Sequence, residues 1–186
     1  MDEAVFTSNQ VSPKVWFPPQ TKSVLLKKQK LAFKAIAVAG AIDNEGRLIA
    51  KWIVDGAIDG DEFKRFLDQL HLHTRGTRCK LLVDNLSVHR KLCVRRHAER
   101  LHIELLYNAT YSSTFNPIER LWAWSKQRFS KRCVGGAPYH NQAAMRRIVA
   151  EILEQDYSIG LRKHIRSCLK NMQDWLDRER SPFERR

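Results

Sequence analysis

The sequence predicts an α/β layer protein, with a mixed sheet flanked by helices and extra helices toward the C-terminal end. Three observations carry that expectation. The apolar run Cys79-Lys80-Leu81-Leu82-Val83-Asp84 has no alternation, as in a strand covered on both faces. Helical spacing surrounds it, in Asp61 to Leu72 and in Val88 to Arg100. Two β-rich segments precede it, Leu31 to Ile42 and Leu48 to Val54, joined by the turn signal Asp43-Asn44-Glu45-Gly46.

Taken in order, residues 1 to 30 read as irregular, interrupted by Pro13, Pro18 and Pro19 and closed by Lys27-Lys28-Gln29-Lys30. The Leu31–Ile42 and Leu48–Val54 strands form a hairpin. Asp61 to Leu72 places Phe63, Phe66, Leu67 and Leu70 on one helical stripe. Leu81 to Asp84 is the next strand, and Val88 to Arg100 a helix with Ser87 as its cap. Ile103 to Tyr107 is another strand, followed by a loop from Asn108 to Phe115. Asn116 reads as a helix N-cap with Pro117 at the first helical position, where its missing N–H costs nothing. That helix carries the stripe Ile118, Leu121, Trp122, Ser125 and Phe129, and Gly135-Gly136-Ala137-Pro138 ends it. Asn141 to Gln155 and Ser158 to about Arg178 are two further helices.

At 186 residues the chain is about one domain long, and 43% hydrophobic content fits a globular protein. The formal charge of +13 points to a polyanionic partner, nucleic acid first, over a merely well-solvated surface. Residues 120 to 186 hold 15 Lys/Arg against 7 Asp/Glu, so the basic excess leans that way. Cys79, Cys93, Cys133 and Cys168 have neither disulfide nor zinc spacing and read as reduced thiols of an intracellular protein. No secretory signal or membrane-spanning stretch is present, so no membrane partner is expected.

Three acids stand where a carboxylate could meet a metal ion: Asp2, Asp84 and Glu119. Each also has an ordinary reading. Asp84 could close a strand and cap the following turn, although ligands of open α/β sheets bind beyond strand carboxyl ends. Glu119 could complete a capping box with Asn116. Asp2 could lie in a frayed terminus, with Asp43, Asp55, Asp59 and Asp61 as competing third acids. An EF-hand reading of Asp55 to Asp61 fails, because Phe66 stands where the bidentate Glu belongs. His89 reads as a group behind Asp84, a phosphate contact, or an ordinary half-buried His. Trp122 and Trp124 read as core and near-core residues rather than base-stacking platforms.

Leu82-Val83-Asp84-Asn85-Leu86-Ser87-Val88-His89-Arg90 resembles the "vlDNasiHk" block of mariner-superfamily transposases, especially their bacterial insertion-sequence relatives. Tyr111-Ser112-Ser113-Thr114-Phe115-Asn116-Pro117-Ile118-Glu119-Arg120-Leu121-Trp122 resembles their "YSPdLNPIErlW" block. The 34 residues between Asp84 and Glu119 match the family's spacing. Asp2-Glu3 looks like the "DE" that ends their first strand, and Lys14-Val15-Trp16 like the "rtW" after it. The resemblance implies an RNase H-like fold and a DDE/D triad of Asp2, Asp84 and Glu119 holding two divalent ions, Mg2+ with Mn2+ as substitute. It implies cleavage and strand transfer of DNA, with transposon ends and target DNA as partners, and it leaves a homodimer open. The site of action would be cytoplasm and nucleoid in a bacterium, or the nucleus in a eukaryote.

The sequence departs from the family where Ala109-Thr110 replaces paired prolines and Ser113 a third, so a less rigid loop is expected. The strand before Asp2 and the family's helix-turn-helix region are also missing, which reads as an N-terminal truncation and predicts weak activity. The expected domains are 1–155, RNase H-like and catalytic with its first strand largely missing, and 156–186, a basic helical extension. The rival reading is a non-catalytic remnant that binds DNA without sequence preference. Either way, DNA affinity is expected to fall by orders of magnitude between low and moderate salt, because lysines and arginines displace counterions from the phosphates. Filter binding across a salt series checks this; a flat response, or preference for one duplex, contradicts it.

Overall fold

The computed structural model describes residues 1–8, 34–108, 115–132 and 141–179. Strands β1 (Asp2–Thr7), β2 (Ala35–Ile42) and β3 (Leu48–Asp55) form an antiparallel sheet in that order. Strands β4 (Cys79–Val83) and β5 (Ile103–Tyr107) pair in parallel. The helices are α1 (Gly60–His73), α2 (Ser87–Arg90), α3 (Leu92–Arg100), α4 (Ile118–Arg132), α5 (Gln142–Leu153) and α6 (Ser158–Glu179). The two groups of strands meet at the start of the chain, where the Met1 nitrogen donates to the Leu82 carbonyl at 2.7 Å. The mixed α/β architecture is the one predicted.

Residues 1–8 are not irregular. Asp2 opens a strand rather than ending one, and β1 pairs along its whole length with β2, from Asp2 opposite Gly40 to Thr7 opposite Ala35. Proline and charge in the following residues masked the short Ala-Val-Phe run of β1. Pro13 to Lys30, the Lys14-Val15-Trp16 and Tyr111–Thr114 segments, Leu31 to Phe33, and Gly135 to Pro138 lie outside the described residues.

The pleat sorts side chains between two cores. Ala4, Phe6, Ile36 and Val38 pack with α4, α5 and the start of α6, through Leu121, Phe129, Val149 and Leu161. The alternate positions Ala39 and Ala41 face the other way, joining Leu81 and Val83 against Phe63, Phe66 and Leu67 of α1 and Val94 of α3. The helical stripes read from the sequence are the buried faces of α1 and α4. Asp59 starts α1, its carboxylate accepting the Asp61 and Glu62 amides at 2.9 Å. The β2–β3 turn is held by Asp43, which accepts the Glu45 and Arg47 amides.

The single helix expected from Val88 to Arg100 is two. Lys91 is extended, with φ −57° and ψ 135°, and separates α2 from α3. The His89 carbonyl, which a continuous helix would offer to the amide four residues on, instead accepts the Tyr107 hydroxyl at 3.0 Å. Ser87 is not a cap; it lies inside α2, and Leu86 holds the cap position without a side-chain bond.

Helix α4 lies against the sheet at Gly40. A Cβ there would meet Trp122 Cη2 at 2.7 Å and Cζ2 at 3.0 Å. Only glycine admits the indole this close to the strand. Gly40→Ala is therefore expected to destabilise the protein by about 1–3 kcal/mol, the usual cost of an overpacked core site. Urea denaturation of the two proteins measures it; unchanged stability would mean that Trp122 does not rest on β2.

Candidate active site

The site grows from the alternation along β1. Asp2 shares the face of Ala4 and Phe6, toward α4, while Glu3 points to the opposite face. Asp2 is 9% exposed. Asp84 follows the last residue of β4 and is half-buried. Glu119 is in the first turn of α4 and exposed. Asn116 ties that turn to the strand: its side-chain amide donates to the Met1 carbonyl at 3.5 Å, and its carbonyl accepts the Glu119 amide at 3.2 Å.

The three predicted acids feel one another. Burial is the main cause that pushes the Asp2 carboxyl up to about 7, and the charges of Glu119 and Asp84 push the same way. The hydrogen bond from the Glu3 amide and the Met1 amine pull it back only in part. Among the described residues, however, no three His, Cys, Asp or Glu side chains converge closely enough to hold a metal ion. The set is thus three hard oxygen donors that do not converge, with the charges of Glu119 and Asp84 repelling that of Asp2. In charge and donor type it fits a hard divalent cation, which would offset that repulsion.

The competing acids are engaged elsewhere. Asp43 pairs with Arg47 at 2.6 Å and Asp61 with Lys64 at 2.6 Å. Asp55 pairs with Arg146 at 3.1 Å, and Asp59 caps α1. Asp84 partly fulfils its ordinary reading, since Oδ1 accepts the Leu86 amide at 3.2 Å. Glu119 makes no capping-box bond among the described residues.

One group was underweighted by the sequence. His89 is fully buried, its ring 4.3 Å from that of Phe63. Its Nδ1 lies 2.8 Å from Asp84 Oδ1 and its Nε2 3.2 Å from Glu3 Oε1. Burial alone would lower the imidazole, but the bond to Glu3 and the charges of Glu3 and Asp84 outweigh it and hold the ring above its ordinary value. Glu3 escaped notice because its role depends on which face of β1 it takes; the acid beside Asp2 was the available signal. Around them, Asn85 donates to the Asn108 carbonyl and accepts from Arg90, and Arg90 lies 5.0 Å over the Tyr107 ring.

A cleft of about 740 Å³ lies elsewhere, lined by Arg47, Lys51, Gln69, Leu72 and Tyr157, and holds none of the three acids. Of the thiols, Cys79 and Cys168 are pushed up by burial, away from reactivity. No helix among the described residues is long and apolar enough to cross a membrane.

Comparison with known proteins adds the following. The sequence pattern of the DDE superfamily endonuclease family matches residues 1–135. Among solved structures, that of the Mos1 strand transfer complex superposes with a TM-score of 0.70 at 17% identity, covering 92% of this chain and 51% of that one. The Mos1 transposase catalytic domain, solved with raltegravir and Mg, gives 0.54 at 18% identity, covering 74% of this chain and 75% of that one. A pre-cleavage Mos1 transpososome gives 0.54 at 16% identity, covering 90% and 54%. The chain spans about half the length of the first of these. No curated protein matches it. The shared fold is RNase H-like, as predicted.

Asp2 carries an expected pH signature. Its carboxyl titrates near 3.8 in the unfolded chain and about 7 in the folded one. Ionisation therefore opposes folding. The stability is full below the unfolded value and is lost as pH rises through the folded one. Metal-free protein is expected to lose, relative to its Asp2→Asn variant, on the order of a few kcal/mol between pH 4 and pH 8. Urea denaturation at both pH values reads the difference; a constant difference would show that Asp2 is not buried against the other acids.

Proposed function

The chain belongs to the DDE superfamily endonuclease family, and from that premise we propose that it is the catalytic domain of a mariner-like DDE transposase. In this reading Asp2, Asp84 and Glu119 are both the metal-holding and the catalytic residues. The observation that carries it is the placement of three acids on three separate elements, with Asp2 pushed up to about 7 by burial first and then by the charges of Glu119 and Asp84. Two divalent ions, Mg2+ or Mn2+, would supply Lewis acidity for activating water or a DNA 3′ hydroxyl and for stabilising the leaving oxygen.

The chain's own work is positional. Strand β1 presents Asp2, the end of β4 presents Asp84, and the first turn of α4 presents Glu119. Trp122 on Gly40 and Asn116 on Met1 set α4 against β1. The basic surface would hold transposon ends and target DNA by their phosphates. Residues 1–155 would form the catalytic domain. Residues 156–186 would form the basic extension, docked through Tyr157 and Leu161, which are buried in the core beside Phe129. The protein would act where DNA is, in nucleoid or nucleus, and a homodimer is compatible with this use.

One observation favours the second reading, a DNA-binding remnant without activity: the acids do not converge, and one Asp84 oxygen is already engaged. Metal decides between them. Saturating Mg2+ or Mn2+, at about a hundredfold above its dissociation constant, is expected to raise the melting temperature by about 5–10 °C. Asp84→Asn is expected to abolish the rise, and Glu119→Gln to reduce Mn2+-dependent nicking of supercoiled DNA to background. A wild-type chain that neither responds to metal nor nicks DNA would leave the remnant.

A further inference from the structure

Between the two faces of β1 lies a contact that the triad alone does not use. The fully buried His89 touches Glu3 through one ring nitrogen and Asp84 through the other. Its backbone is held as well, the carbonyl by Tyr107 Oη at 3.0 Å and the amide by the Leu86 carbonyl at 3.1 Å. Phe63 covers the ring face. A ring fixed by packing, by its own main chain and by a carboxylate at its far end is a rigid donor. Nδ1 of His89 bonds the Asp84 backbone carbonyl at 3.4 Å and stands 2.8 Å from Oδ1 as an ion pair, and the Leu86 amide donates to that same Oδ1 at 3.2 Å. Among the described residues, Oδ2 is the oxygen left open.

We propose that His89 is a positioning residue, a strap from Glu3 to Asp84 that fixes the Asp84 carboxylate so that Oδ2 is its metal-facing oxygen. The proposal rests on the reading of Asp84 as a metal ligand. Its logic is that of outer hydrogen bonds in metal sites, which hold the ligand's orientation before the ion arrives. Asp84 needs such support because it stands beyond the last residue of β4, where no ladder bond holds it. Glu3 supplies the anchor because alternation along β1 turns it to the α2 face while Asp2 faces α4. One strand thus provides a candidate ligand with one residue and a brace for another with the next.

The test is Mn2+ binding followed by the rise in melting temperature and by electron paramagnetic resonance of free Mn2+, with metal-free folding checked by circular dichroism. His89→Leu is expected to weaken Mn2+ binding about tenfold or more. The direction is diagnostic, because removing a ring held between two carboxylates makes the region more negative. A purely electrostatic or packing role would leave Mn2+ affinity unchanged or increased. His89→Asn, whose amide can replace the Nδ1 donor, is expected to fall within about threefold of the wild type. Should His89→Leu not fold, Glu3→Ala and Glu3→Gln decide. Both remove the same charge, but only glutamine keeps an acceptor for Nε2, so the alanine variant is expected to bind Mn2+ more weakly than the glutamine one. Equal affinities in that pair, or unchanged affinity in His89→Leu alongside a response lost in Asp84→Asn, overturns the strap alone. A response that survives Asp84→Asn overturns the metal reading and the strap with it.

Discussion

The alternation of side chains along β1 is the constraint on which the site depends. Six residues paired in one register with β2 set Asp2 toward α4 and Glu3 toward α2. A slip of one residue would exchange them, placing Glu3 in the acidic region and Asp2 against His89. It would also turn Ala4 and Phe6 away from the core that holds them, so hydrophobic burial enforces the register that the carboxylates require. The fold's stability and its proposed chemistry are set by one choice of face.

Two close packings transmit that register to the neighbouring elements. On one side Trp122 seats on Gly40, the residue opposite Asp2, and so places Glu119 less than one turn away along α4. On the other side His89 seats under Phe63 between Glu3 and Asp84. Both are buried, and both carry an acid on the adjoining backbone. The break at Lys91 follows from the same arrangement, since pinning His89 through its ring and its carbonyl removes a helical bond.

Placing acids together costs free energy. Asp2 carries such a cost on top of that of its burial, which is the larger cause of its carboxyl's rise to about 7, and shifted carboxyls of this kind cluster at functional sites. The charge of the Met1 amine relieves it in part. Several basic side chains are engaged with other acids, as Arg47 is with Asp43 and Arg132 with Glu151.

Much of this was legible in the sequence, because it is written in local patterns. The stripes Phe63–Phe66–Leu67–Leu70 and Ile118–Leu121–Trp122–Ser125–Phe129 are periodic, and burial follows period. The unalternating run before Asp84 read as a strand covered on both faces; it is a strand, but Lys80 and Leu82 are exposed and only the face of Leu81 and Val83 is covered. Asp84 and Glu119 stood out because strand ends and first helical turns are recognisable in a few residues. What the sequence could not show was contact between distant residues. Met1 meets Leu82, Glu3 meets His89 and Gly40 meets Trp122 across 81, 86 and 82 positions, and no local pattern encodes those distances. The strand after Asp2 was missed for the same reason. Six residues beside a proline-rich segment carry little propensity, and pairing with β2 makes them a strand. The sequence by itself determined most of the elements and named Asp2, Asp84 and Glu119; only the tertiary structure decided β1, the break at Lys91, which face each acid takes and what stands behind it, because those depend on strand register and helix docking.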